Sequence, residues 1–150
     1  MRKYLYLSFT LSLFSICIHA QTANYSFVSA EIKSPSSVQV TLKTFADKRK
    51  SADMEAKCAA LRIIMFDGIK GTIYNRPLLN QGTIALHENS EYFDNLFNNR
   101  LSDVIRMATM KSDFKKAEKG EKSTLYTIDV NYIQLKKDLE KNKIKTQLGL

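Results

Sequence analysis

Hydrophobic and polar residues alternate along two stretches of the chain. Val38, Val40 and Leu42 interleave with Gln39, Thr41 and Lys43, and Tyr126, Ile128, Val130 and Tyr132 interleave with Thr127, Asp129 and Asn131. A period of two puts the apolar set on one face, so each stretch is expected as a strand with one buried side. Upstream, residues 21–37 read as a polar lead-in or an edge strand, with Tyr25 to Ile32 as the strand-forming part. Ser34-Pro35-Ser36-Ser37 punctuates it before the first clear strand.

From Ala52 to Phe66 the period changes. Met54, Cys58, Leu61 and Met65 recur at helical spacing, and Ala56, Ala59, Ala60, Ile63 and Ile64 widen the stripe. Asp47 to Ser51 is a charged turn able to cap this helix, and Gly68 and Gly71 supply its stop. Thr72 to Tyr74 reads as a short strand and Asn75 to Gly82 as a loop. Asn89 or Ser90 opens a second helix carrying Phe93, Leu96 and Phe97. Beyond Asn98-Asn99 two continuations compete, a longer helix through Leu101, Val104, Ile105 and Ala108, or a break and a strand over Ile105-Met107-Thr109; the second is the expectation. Lys111 to Lys122 reads as a solvated hairpin loop, and Leu135 to Lys141 as a short helix before a tail holding Ile144 and Leu148.

The expected order is strand, helix, short strand or loop, helix, strand, strand, helix. Strands joined by a hairpin near the C-terminus point to an α+β fold, a two-layer sandwich whose mixed or antiparallel sheet carries helices on one face. Residues 38–150 form the single expected domain. Met54, Leu61, Ile64, Val40, Ile128 and Val130 are its expected core.

The first twenty residues have a different character. Arg2 and Lys3 precede an uncharged run from Tyr4 to Ile18, and Ile18-His19-Ala20 ends on a small residue. That layout predicts a signal peptide over 1–20, cleaved to leave Gln21 first. The run is shorter than the roughly 20 apolar residues that span a bilayer, which disfavours a retained anchor and an integral membrane protein. Cys17 is preceded by Ile16 and has Phe14 three before it, a poor context for lipidation. The protein is therefore expected outside the cytoplasm, periplasmic or secreted. Processing removes Cys17 and leaves Cys58 as the one cysteine, so no internal disulfide is expected.

The formal net charge is +8, with ten lysines against six acids between Lys111 and Leu150. Lys136, Lys137, Lys141 and Lys143 are the candidate anion-binding residues of this basic end, toward acidic lipid headgroups or glycans. A solvated face that keeps the domain soluble is the plainer reading of the same lysines. Nucleic acid is not the expected partner, because the chain carries an export signal and Tyr126 and Tyr132 have no RNA-recognition motif around them.

Several segments carry a likeness to known proteins. Ile63-Ile64-Met65-Phe66-Asp67-Gly68-Ile69, Pro77-Leu78-Leu79, Tyr92-Phe93-Asp94-Asn95-Leu96-Phe97 and Leu135-Lys136-Lys137-Asp138-Leu139-Glu140 together resemble a group of small exported proteins of Gram-negative anaerobes with no characterised function. The resemblance covers roughly residues 38–150. The chain is also faintly similar to N-terminal domains of flagellar outer-membrane assembly proteins, which pair a strand with an alanine-rich helix. Neither likeness implies a catalytic residue.

Candidate chemistry is sparse. Cys58 and His87 are the one conceivable nucleophile–base pair, but Cys58 lies in an apolar stripe. With His19 and Cys17 expected to leave with the signal peptide, the one histidine and one cysteine that remain make no usual zinc site, and Asp94, Asp103, Asp113 and Asp138 are too scattered for a calcium loop. No metal and no cofactor are expected. Gly68-Ile69-Lys70-Gly71-Thr72 lacks the spacing of a phosphate loop. Glu88 with Glu91, or Asp138 with Glu140, read as solvated helix ends rather than catalytic pairs. Tyr92, Phe93 and Phe97 read as core rather than as a partner-binding face. The expected function is that of a non-enzymatic envelope module binding another protein or an anionic envelope component. A small periplasmic hydrolase with a carboxylate site is the alternative.

Overall fold

The computed structural model describes residues 24–79, 81–116 and 122–144. The signal-peptide expectation, Cys17, Leu148 and part of the Lys111–Lys122 loop fall outside these residues.

Two long strands open the fold, β1 (Tyr25–Ser34) and β2 (Ser37–Ala46), with Pro35-Ser36 turning between them. Of the two readings of residues 21–37, Tyr25–Ser34 takes the edge-strand form. Helix α1 (Arg49–Arg62) follows and runs into a widened π turn over Ile63–Asp67. Three short helices come next, α2 (Thr83–Glu88), α3 (Ser90–Asn99) and α4 (Leu101–Val104). The chain then forms β3 (Ile105–Met110), β4 (Lys115–Lys116), β5 (Lys122–Asn131) and helix α5 (Tyr132–Lys141).

All the strand pairings are antiparallel, and the sheet order is β1-β2-β5-β3, with β4 also on β5. The expected α+β class holds, and the sheet is antiparallel rather than mixed. Register follows the hydrophobic alternation. Val38 faces Val130, Val40 faces Ile128 and Leu42 faces Tyr126 across β2 and β5, all six buried. Their other face carries Gln39, Thr41 and Lys43 against Asp129, Thr127 and Leu125, and the Thr41 and Thr127 hydroxyls lie 3.1 Å apart. Helix α1 packs on β2 and β5, with α5 against the same two strands.

Small side chains let α1 approach the sheet. Ala52, Ala56, Ala59 and Ala60 are fully buried beneath it, with Leu61 beside them. Met54 is 39% exposed and is not core. The buried stripe is centred on the alanines, and Met54 falls outside it. The π turn solves a hydrogen-bonding problem at the helix end. Gly68 N–H reaches back to Ile63 O at 2.9 Å, while Ile64 O and Met65 O accept from Leu78 and Leu79 N–H at 3.1 and 3.0 Å. The widened turn thereby anchors the Pro77-Leu78-Leu79 loop to the core.

Four local expectations need correction. Thr72–Tyr74 is a turn, closed by the Thr72 hydroxyl donating to Ile69 O at 2.7 Å and accepting from Tyr74 N–H at 3.1 Å. Asp47–Ser51 gives α1 no side-chain cap; Lys48 takes the capping position with its backbone alone. Tyr132 does not continue β5. Asn131 Oδ1 accepts the Gln134 N–H at 3.2 Å, so Tyr132 starts α5 and stacks on Tyr74 at 4.1 Å between centroids. Asp138 is buried rather than solvated.

Candidate functional site

β3 lies at the edge of the sheet and α1 lies mainly over β2 and β5. The space this leaves over β3 is a groove. One end, a cavity of about 500 Å³, is lined by Arg49, Lys50 and Asp53 of α1 and by Ala108, Met110 and Tyr126. The other end, about 250 Å³, is bounded by Asp53, Lys57, Leu101 and the segment Ile105–Ala108. Asp53 and Ala108 belong to both.

The helix side of the groove has a simple origin. Arg49, Asp53 and Lys57 are four residues apart, so one stripe of α1 presents all three. Lys57 Nζ holds Asp53 Oδ2 at 2.6 Å. The floor is apolar because β3 turns Ala108 and Met110 to the same side as their cross-strand partners Ile128 and Tyr126. Arg106 stands at the far end and donates to Ser36 Oγ at 3.1 Å. The rim is thus cationic, with its one acid already paired. Sequence reasoning missed this groove; the run Ile105–Met110 was visible as a strand, but its place at the sheet edge was not.

The expected anion-binding lysines are spread around α5. Lys137, Lys141 and Lys143 are exposed and Lys136 is half-buried. Lys137 and Lys141 stand one turn apart with Glu140 between them on the solvent side. Among the described residues none of the four lysines is in an ion pair, and none lines either end of the groove.

The other candidates resolve into packing. Cys58 is buried, its Sγ 4.0 Å from Phe97 O, and burial pushes its thiol pKa up, opposite to what a nucleophile needs. His87 is exposed on α2, with no hydrogen bond to Cys58. Phe93 is buried among Phe66, Tyr92 and Phe97, at 6.0, 5.0 and 6.2 Å between ring centroids. Glu88 and Glu91 are both exposed. Asp138 is shared out, Oδ2 accepting from the Tyr92 hydroxyl and Oδ1 from Arg100, both at 2.6 Å. Arg100 also holds Asp103 at 2.9 Å. Among the described residues no three His, Cys, Asp or Glu side chains cluster to hold a metal ion, and no helix is long and apolar enough to cross a membrane.

Comparison with family models, with curated proteins and with solved structures found no match for this chain.

Proposed function

We propose that this chain is a non-enzymatic binding module of the cell envelope, exported by its leader, and that it holds a partner in the groove between α1 and β3. The observation that carries the reading is the groove itself, with apolar floor, cationic rim and a sheet edge along one wall. A shallow open groove of this kind suits a partner's surface more than it suits the enclosed, water-free site of a small-molecule reaction. The hydrolase alternative needs a carboxylate free to exchange a proton with substrate. Asp138, the buried carboxylate, has both oxygens occupied by Tyr92 and Arg100. The α5 lysines add to the proposal as field rather than as pocket. With Lys137, Lys141 and Lys143 exposed and none of the four in an ion pair among the described residues, they attract an acidic protein or another anionic envelope component to this side of the cell boundary.

The test places a photo-crosslinking phenylalanine analogue at Lys50, on the groove rim, or at Ile73, an exposed residue that lines neither end of the groove. Irradiation of intact cells is expected to give one adduct of discrete mass from Lys50 and none from Ile73. Equal, heterogeneous adducts from both would reject the groove as the binding surface. Mass measurement of the extracted chain checks the export reading, for which it begins at Gln21.

A further inference from the structure

The two edges of the sheet are built differently. β1 is interrupted by register shifts between Phe27 and Ser29 and between Ile32 and Ser34, and carries the paired charges Glu31 and Lys33. Bulges and charges are the usual guards against a foreign strand. β3 has one shift, between Ile105 and Met107, and then pairs regularly through Met110. Met107-Ala108-Thr109-Met110 is uncharged, bracketed by Arg106 and Lys111.

The backbone of that stretch is set to receive a strand. Lys111 N–H points inward and donates to Leu125 O at 2.7 Å, while the Leu125 N–H is taken by Ser112 Oγ at 2.9 Å. Antiparallel ladders alternate, so Thr109 also bonds inward to Thr127, while Ala108 and Met110 turn their N–H and C=O away from β5. Among the described residues no backbone group pairs with that outer edge. Ala108 and Met110 are also the residues whose side chains floor the groove. An entering strand would meet free amides and an apolar floor at the same two positions.

We infer that β3 and the groove beside it bind an extended acidic segment of another protein, added to the sheet as a further strand. The inference rests on the binding-module reading and names its partner class. Extended backbone is indicated because a fatty acid or other anionic amphiphile could fill the apolar floor but could not pair with Ala108 and Met110. Acidic character is indicated by the rim, where Arg49 and Lys50 stand at one end and Arg106 at the other, while Lys57 already pairs with Asp53. Apolar residues at alternate central positions, flanked by carboxylates, complement that arrangement.

The experiment uses the isotope-labelled protein as its host secretes it and the acetylated peptide Glu-Asp-Val-Thr-Val-Thr-Val-Asp-Glu. Binding is expected to slow amide exchange at Ala108 and Met110 by about tenfold or more. N-methylation of the central peptide groups should weaken binding by about tenfold, and replacement of the acids by lysine should abolish it. Ala108→Pro removes an outward N–H at an edge, a position where proline is tolerated, and should weaken the peptide similarly. If that variant fails to fold, the exposed pair Arg49→Glu and Lys50→Glu carries the test through charge alone. Equal binding of the N-methylated peptide, protection at the β1 edge instead, tighter binding of decanoate, or β3 pairing with a second copy of the chain would each overturn the inference. A peptide that fails while the Lys50 crosslink still forms would leave the binding-module reading standing without strand addition. Failure of both would remove the module as well.

Discussion

The Tyr92 hydroxyl donates to Asp138 Oδ2 at 2.6 Å and ties α3 to α5. Arg100, just past the end of α3, holds the other carboxylate oxygen at the same distance. A buried carboxylate is stable only when its lone pairs are used, and here two different groups use them. Tyr92→Phe keeps the ring against Phe93 and removes one charge-assisted bond. The expected loss is about 1.5 kcal/mol, the low end for such bonds because Tyr92 is half-buried. Asp138→Ala leaves Tyr92 without its acceptor and Arg100 with Asp103 alone, and should lose more. Urea denaturation of both single variants and the double variant measures the coupling, and independent, additive losses would show that the bond contributes nothing.

The same contact sets an alkaline limit. Burial first, and then the bond to Asp138, pushes the Tyr92 hydroxyl well above its ordinary pKa of 10.0. The unfolded chain then releases this proton at lower pH than the native state does. The stability is complete below pH 10 and declines above it, toward the raised native value. Tyr25, Tyr126 and Tyr132 are shifted the same way by burial and add to the slope. One such group contributes at most about 1.4 kcal/mol per pH unit, and less where solvent screens it. Stability curves from pH 9 to 12 should be steeper for the parent than for Tyr92→Phe; identical slopes would contradict the assignment.

Leu61 and Met54 separate the true core face of α1 from the one its spacing suggests. Leu61 is fully buried, so Leu61→Ala should lose about 2–5 kcal/mol through lost burial and the cavity left behind. Met54 is among the exposed large apolar residues, so Met54→Ala should change stability by less than about 0.5 kcal/mol. Denaturation midpoints check both. A large loss at Met54 would restore it to the core.

This contrast shows what the chain makes legible. Strong alternation placed β2 and β5 in register, because a one-residue slip would move Val38, Val40, Ile128 and Val130 to the polar face. The break at Asn98-Asn99 and the strand after it were also readable, as α3 ends at Asn99 and β3 starts at Ile105. Weak local signals were not. Thr83–Glu88 has too few turns to show a stripe, and α2 went unseen. Tyr132 fits the alternation of β5, yet the Asn131 cap diverts it into α5. The groove was hidden for another reason: it depends on which strand ends the sheet and on α1 stopping short of it. Strand order and helix placement are tertiary facts with no local pattern. The α5 lysines were legible as charge, because charge needs no partner to be counted.

Thr44 offers a test of an unmet hydrogen bond. Its side chain is fully buried on the sheet's inner face, and its Oγ1 has no partner among the described residues. A buried hydroxyl left unsatisfied costs about 1–3 kcal/mol of desolvation. Thr44→Val keeps the β-branched shape that suits a strand and deletes the hydroxyl. The variant should be as stable as the parent or more stable by about 1 kcal/mol, read from thermal and urea midpoints. A clear loss would show that the hydroxyl has an acceptor or a water in solution.

Gly68 and Gly71 flank the same turn and both take a positive φ, +73° and +78°, with Gly68 further extended at ψ 166°. Their surroundings differ. A Cβ on Gly68 would lie 2.5 Å from the Asn75 carbonyl oxygen and 2.6 Å from the Arg76 carbonyl carbon, whereas one on Gly71 would meet nothing within 4 Å. The close atoms are backbone, so no side-chain rotation relieves the overlap. The loop there is also fixed, since Ile69 N–H donates to Tyr74 O at 2.6 Å and the following residues Leu78 and Leu79 bond to the π turn. Gly71→Ala should therefore lose only the left-handed penalty, about 1 kcal/mol. Gly68→Ala meets a backbone region essentially reserved for glycine and also displaces the Asn75-Arg76 backbone, and should lose at least about 2 kcal/mol more. Hydrogen exchange separates the causes. Gly68→Ala should speed exchange at the Leu78 and Leu79 amides out of proportion to the global loss, because the loop must lift from Ile64 and Met65 to admit the methyl group. Equal losses in the two variants, with those amides still protected, would mean that the Asn75-Arg76 segment yields freely and that close packing at Gly68 does not hold the loop.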